Sequence, residues 1–363
     1  MPNKLKPHQS LETSGARGVE PFELDGRVFL AIPQLSEDIQ GDPPNMNGGN
    51  SDLDAIIYRW EDGRFAEYQR IPTHGGEAAS FFSIGERKFL ALASIRSGRH
   101  PNYSYNLYST VYEWDGKRFF PLQDFPTFAA KGCHGFQIGD GTFLSFSEGV
   151  SVPDQDPSVD TSARLYKWNG NRFDLFQSLP SKWGYDIHDF TIGDTPYLGL
   201  ADHAQQSILY RWDGTLFREF QSFDSDGGGR CFESIDIQGE TYLAIANLLS
   251  DSTIYKFSGE KFVEVQRLAG PAGRSFSSFR RADDTYLMRT NFISGSRQSP
   301  ITTQDSVLYR WSGQAFEVVE TYATCGGTQS KAFHVDAKTY IAVANSLTAE
   351  ARFRTDTVIY AFL

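Results

Sequence analysis

The chain has 363 residues, with 34 basic against 45 acidic side chains, a formal charge of −11 and 14% aromatic content. No cluster of Lys or Arg offers a footprint for a phosphate backbone or an anionic bilayer, so nucleic acid and membrane partners are disfavoured. No apolar run reaches the roughly 18 residues that span a bilayer, the opening Met1 to Ser10 has no apolar stretch of signal-peptide length, and Cys133, Cys231 and Cys325 form no Cys-x-x-Cys pair; the expected compartment is the cytoplasm.

In chain order, the first recognisable segment is Leu5 to Thr13, which aligns without a gap to Phe65 to Thr73 and to Phe119 to Thr127. A hairpin signature then recurs as Tyr58/Trp60/Phe65/Gln69, Tyr112/Trp114/Phe119/Gln123, Tyr166/Trp168/Phe173/Gln177, Tyr210/Trp212/Phe217/Gln221, Tyr255/Phe257/Phe262/Gln266 and Tyr309/Trp311/Phe316/Glu320. A last half-copy stands at Tyr360/Phe362. Tyr and Trp two apart share one face of a strand, and the Asp-Gly, Asn-Gly or Ser-Gly that follows is tight-turn chemistry. Before each hairpin lies a strand such as Phe89 to Ala93, preceded by another that carries Phe22, Phe82, Phe136, Phe190, Ile235, Phe279 or Phe333 near its end.

Each unit is therefore four short strands, and the Tyr-to-Tyr intervals of 54, 54, 44, 45, 54 and 51 residues match the blade length of a propeller. The expected fold is all-β, a seven-bladed β-propeller of four-stranded blades spanning 1–363 as one domain. The last copy lacks its fourth strand, and residues 4–13 supply it, covering two sheet edges and closing the ring. Pro7 is tolerable on such an outer edge.

The Tyr-x-Trp pairs, the following Gly and Phe, and the Tyr/Phe-Leu-Ala strands resemble the epitempin repeat, also written EAR or EPTP, as in the leucine-rich glioma-inactivated proteins. That resemblance covers essentially the whole chain. It implies a seven-bladed propeller that serves as an adhesion or receptor-binding module.

With the repeats as one another's control, positions that agree are scaffold and positions that differ are candidates for a site. Two residues before the first-strand aromatic the blades carry Glu20, Ser80, His134, His188, Glu233, Ser277 and Lys331. These are expected to converge near one mouth of the central channel. The ends of the second strands, at Gln34, Ser94, Glu148, Asp202, Asn247, Asn291 and Asn345, are expected to open onto the same face. The loops that follow are long in blades 1, 2, 3, 6 and 7; they would wall a pocket, with Tyr103, Tyr105, Tyr108 and Phe353 as its apolar lining. Gly227-Gly228-Gly229 is an inter-blade loop.

The polar concentration in blade 4, Tyr185 to Asp189 with Asp202 and His203, sets imidazole beside carboxylate. The resulting expectation is a small-molecule enzyme without organic cofactor, doing proton-transfer, isomerisation, lyase or cyclisation chemistry, including that of a natural-product cyclase or cycloaddition catalyst. Its catalytic set would be His134, His188, Glu233, Glu20 and Lys331, with Arg17, Arg230, Arg274 or Lys331 stabilising an oxyanion. Substrate-binding residues would be Tyr185, Asp189, Asp202, Arg230, Asn247, Asn291, Asn345 and Glu148. His134, His188 and Glu233 are a weaker candidate for a divalent metal, without short-range ligand spacing. Cys133 faces away from His134 on a strand and is expected to be a small buried apolar residue. The alternatives are a protein-binding module and a metabolite or carbohydrate binder without turnover.

Overall fold

A computed structural model describes residues 4–150, 162–224, 228–296 and 299–363. Within them the chain forms seven four-stranded antiparallel sheets in sequence order, each with its first strand at one edge and its fourth at the other. Blade 1 is Glu20–Leu24, Arg27–Ile32, Asp52–Glu61 and Arg64–His74. The first strands of the remaining blades are Gly76–Ile84, Gly132–Ile138, Gly184–Ile192, Gly229–Ile237, Gly273–Arg281 and Gly327–Val335. Blade 7 is completed by Leu5–Leu11, which pairs with Thr357–Phe362 from Leu5 opposite Phe362 to Leu11 opposite Thr357. The seam is the one read from the alignment of the chain ends.

The aromatic repeat builds the core between blades. Second strands are buried on both faces, and Phe89, Leu90, Ala91, Leu92 and Ala93 are all inaccessible to solvent, which is why they read as an unbroken apolar run. One cluster joins Leu30, Tyr58 and Phe65 of blade 1 to Phe333, Tyr340 and Ile359 of blade 7. Trp60 lies 4.8 Å from the Tyr340 ring across that seam. Each fully buried Leu or Phe contributes about 1.5–3 kcal/mol.

The Gln of each hairpin explains itself at the rim. Gln69 donates to Phe119 O at 2.8 Å and accepts from Phe119 N–H at 2.9 Å, one blade on. Gln9, Gln123, Gln177, Gln221 and Gln266 each clamp the next Phe in the same two-bonded way. A β-bulge just before the Gln, such as the slip between Val111 and Tyr112 against Gln123 and Pro121, turns the amide toward its neighbour. Where blade 6 meets the N-terminal strand, Glu320 stands in for Gln and accepts from Lys4 N–H and Leu5 N–H, two donors suited to an acceptor-only carboxylate.

A second set of bulges lies at the start of the first strands. The register of first against second strand slips between Gly76 and Ala78, Gly184 and Asp186, Gly229 and Cys231, Gly273 and Ser275, and Gly327 and Gln329. The extra residues are Glu77, Tyr185, Arg230, Arg274 and Thr328. The preceding glycine is required by close approach: a Cβ on Gly229 would lie 2.6 Å from Asp202 O, and one on Gly273 2.8 Å from Asn247 O.

The loops between second and third strands fold onto each other instead of walling a pocket. Leu35, Ile95, Phe128, Phe292, Leu347 and Phe353 form one buried cluster against which Tyr105 packs. Tyr103 donates to Gly49 O at 2.8 Å and Tyr108 is exposed. This corrects the expected apolar lining: the loop aromatics that are buried serve the loops' own small core. Most of the long loop of blade 3, residues 151–161, and Gly227 of the glycine triplet lie outside the described residues.

Candidate functional site

A cavity of about 320 Å³ runs along the axis. Two rings of side chains line it, three residues apart on or just before the first strands.

The ring two residues before the aromatic, read from the sequence as the site, closes on itself. Phe81 N–H donates to Glu20 Oε1 at 3.1 Å, Gly135 N–H donates to Ser80 Oγ at 3.1 Å, and His134 Nε2 meets Asp189 Oδ1 at 2.6 Å. Ser234 N–H donates to His188 Nε2 at 3.0 Å, so that imidazole carries its proton on Nδ1. Ser278 N–H and Oγ–H donate to Glu233 Oε1 at 2.7 and 2.6 Å, Ser277 Oγ–H donates to Ser330 O at 2.5 Å, and Lys331 pairs with Glu20. Every bond runs to the adjacent blade. Unlike side chains thus perform one task, stapling the seven first strands into a circle.

The charges of Asp189 and Lys331 are stabilised in place, and that of Glu233 is not. Burial pushes the Asp189 carboxyl up, but the bond to His134 and the attraction of His134 and His188 together outweigh it and hold the pKa below the usual carboxylate range. Burial opposes charge on Lys331, and Glu20 with Glu233 overcomes it and raises the ammonium pKa. Burial raises the Glu233 carboxyl. Among the described residues no three His, Cys, Asp or Glu side chains gather closely enough to hold a metal; His134, His188 and Glu233 each turn to a different neighbouring blade instead of to one point. Cys133 lies partly buried with its Sγ 3.5 Å from Ala91 O, and burial pushes its thiol well up.

The ring five residues before the aromatic carries Arg17, Glu77, Lys131, Tyr185, Arg230, Arg274 and Thr328, and its chemistry is different. Glu77 lies 3.5 Å from Arg17, 4.0 Å from Lys131 and 3.4 Å from Arg274. Three cations share one carboxylate, and among the described residues Arg230 pairs with none. Arg230 instead lies over the Tyr185 ring at 3.7 Å from its centroid, with Arg274 at 4.6 Å and Lys131 at 4.8 Å. Burial pushes the Tyr185 phenol up, but Arg230, Lys131 and Arg274 together outweigh it and bring it down to about 7. Burial lowers the pKa of Arg230 to about 10, and that of Arg17 and Lys131 also falls.

Lys131 and Arg230 are each only 6% exposed, whereas the side chains of His134 and Lys331 are 30% and 34% exposed. The cavity is therefore closed at the loop end, by the basic ring, and opens past the stapled ring.

Of the residues expected to bind substrate, Tyr185 and Arg230 line the cavity, and Asp189 holds His134 beside it. Glu148, Asp202, Asn247, Asn291 and Asn345 do not reach it. Antiparallel register sets Asp202 opposite Gly184 and Asn247 opposite Gly229, level with the strand starts and not with His188 or Glu233. There they hold loops: Asp202 accepts from Lys182 N–H and Ala204 N–H, Glu148 from Phe128 N–H, Asn247 from Leu249 N–H and Asn345 from Cys325 N–H, while Asn291 donates to Asp305 O. Glu77 and Lys131 are absent from the expected site residues, and Arg17 and Arg274 enter there only as oxyanion stabilisers. In a regular strand, residues three apart point to opposite faces, and only the bulges bring Glu77, Tyr185, Arg230 and Arg274 round to the axis. The recurrent glycine one residue before each bulged position was the available signal.

The model of the EPTP domain matches residues 4–61, 64–115, 172–213, 216–258 and 261–312, well over half of the chain. The chain belongs to the EPTP domain family. It is 26% identical over 366 residues to the mouse thrombospondin-type laminin G domain and EAR repeat-containing protein, covering 93% of this chain and 50% of that one. It is 22% identical over 291 residues to human leucine-rich repeat LGI family member 2, covering 77% of this chain and 47% of the relative. This EPTP chain thus spans about half the length of the curated relatives it matches. Among solved structures, the SapL1 lectin in complex with α-methyl fucoside aligns with a TM-score of 0.51 at 12% identity over 85% of this chain and 97% of the lectin. The Pseudomonas aeruginosa periplasmic gluconolactonase aligns with a TM-score of 0.55 at 12% identity over 88% and 95%. At that identity these two share the fold only.

Membership of the EPTP family overturns the expected enzyme. The relatives that match over most of the chain are proteins of EAR-repeat and LGI type, so the cyclase, isomerase, lyase and biosynthetic assignments, the small-molecule substrate and the catalytic roles given to His134, His188, Glu233, Glu20 and Lys331 are withdrawn. The bonding of that ring supplies the physical reason its residues vary: each meets a different neighbour.

Proposed function

We propose that this EPTP propeller is a protein-interaction module whose partner docks on the face made by the loops between second and third strands. The supporting observation is where the blades diverge. The rim and the first-strand ring are occupied by bonds between blades, while that one face carries loops of unequal length over a shared apolar base. It exposes Tyr108, Leu249 and Ile301 at 59%, 58% and 57%, single apolar side chains from blades 2, 5 and 6. The EAR-repeat and LGI relatives agree with a binding role.

Site-specific photo-crosslinking tests the reading. A crosslinker at Tyr108 or Ile301 of the full chain is expected to give discrete, saturable protein adducts, and one at Leu175 on the rim none. Equal labelling from both positions, or no adducts from the loop face, refutes it.

A further inference from the structure

The basic ring at the closed end of the channel is chemically incomplete. Arg17, Lys131, Arg230 and Arg274 face a single carboxylate, Glu77, in a chain whose overall charge is −11. Buried charges are ordinarily paired, because an unpaired one forfeits its hydration. Nε and Nη1 of Arg230 are buried without a hydrogen-bond partner, and Nε of Arg17 makes no hydrogen bond, only its 3.5 Å ion contact with Glu77. Arg230 lines the cavity and is 6% exposed.

We propose that this ring binds a tetrahedral oxyanion of the phosphate or sulfate class, seated among Arg17, Lys131, Arg230 and Arg274. A guanidinium presents parallel N–H donors to two oxygens of such an anion, and several cations around one anion restore both the missing bonds and the missing charge. Glu77 orders three of the cations and leaves Arg230 stacked on the Tyr185 ring without a carboxylate partner, and Thr328 adds a neutral polar wall. The cavity of about 320 Å³ reaches the ring from the open end past His134 and Lys331, so a small anion has both room and a route. Tyr185 is the internal reporter, because an anion beside its three cations competes with the phenolate for them. The inference is independent of the docking reading, since the anion seat is inside the channel and the docking face is outside.

The experiment uses the full chain in chloride buffer near neutral pH, titrated with inorganic phosphate or sulfate and followed by calorimetry, thermal unfolding and the phenolate absorbance of tyrosine. Wild-type protein is expected to bind one anion saturably, unfold at higher temperature as the anion is added, and lose part of its phenolate signal. Arg230→Gln and Arg274→Gln are each expected to weaken binding by about tenfold or more. Tyr185→Phe should bind and lose the optical change, and Lys167→Gln on the surface should behave as wild type. Absence of phosphate and sulfate binding by the wild-type chain overturns the proposal, as does undiminished binding by folded Arg230→Gln. If Arg230→Gln fails to fold, Arg274→Gln decides by the same criterion.

Discussion

Two rings of seven side chains line one channel three residues apart, and both vary from blade to blade. The ring of Glu20, His134, His188, Glu233 and Lys331 varies because each member bonds a different group on the next blade. The ring of Arg17, Lys131, Arg230 and Arg274 varies and yet leaves buried donors unmet. Variation inside a repeat is therefore no mark of a site by itself; unsatisfied chemistry at a varying position is. The first ring spends its polar atoms on holding blades together, and the second keeps some in reserve.

Four experiments press on that contrast. The largest effect is expected from Glu77→Gln, which removes the carboxylate shared by Arg17, Lys131 and Arg274. Stripping one partner from a buried charge cluster costs about 3–5 kcal/mol, measurable as a lower urea midpoint, and added phosphate should restore part of it if the cations are what suffers.

Next is a pH dependence set by Tyr185. Its folded value of about 7 lies below the ordinary 10.0, so between those limits the unfolded chain holds the extra proton. Stability from this group is full above the upper limit and is lost as pH falls through the lower one, with a slope of at most about 1.4 kcal/mol per pH unit. Wild type should thus gain stability from neutral to alkaline pH, and Tyr185→Phe should show a flatter profile in chemical denaturation. Arg230 and Lys131, whose values are also lowered, act in the same direction closer to their own ranges.

At the rim, Gln69→Ala leaves Phe119 N–H and C=O without their partner and should cost about 1–3 kcal/mol in the same urea assay. Smallest is His134→Ala in the stapled ring, where a half-exposed bond to Asp189 is lost for about 1 kcal/mol. Its phosphate affinity should match wild type. A large loss of affinity there would mean that the two rings act as one site and would erase the contrast between them.

The propeller was legible in the sequence because it is written seven times: Tyr-x-Trp fixes a strand face, Asp-Gly fixes a turn, and the alignment of Leu5 to Thr13 with Phe65 to Thr73 fixes the seam. The purpose of Gln69 and its copies was not legible, since a bulge and a bond to the next blade both lie outside any one repeat. The sequence names Tyr185, Arg17, Arg230 and Arg274 singly but does not show that they form one ring with Glu77 and Lys131, for a related reason. Strict alternation carries His134 and His188 to the axis correctly, but it turns Arg230 and Arg274 away, and only the extra residue after Gly229 and Gly273 reverses that. The loop aromatics misled through their chemistry: Phe353 suits a ligand pocket and a small core equally, and burial by Leu35, Ile95 and Phe292 is a matter of three-dimensional neighbours.

The seam has a consequence for how the molecule is made. Leu5–Leu11 is translated before blade 1, yet its partner Thr357–Phe362 follows only after all the other strands of the seven blades. Six blades have all their strands earlier, but the circle closes only with Thr357–Phe362, and until then the early strand must persist without its mate. Such a long-range closing step is slow by nature, and it makes Leu5–Leu11 the place where premature pairing with another molecule is most costly.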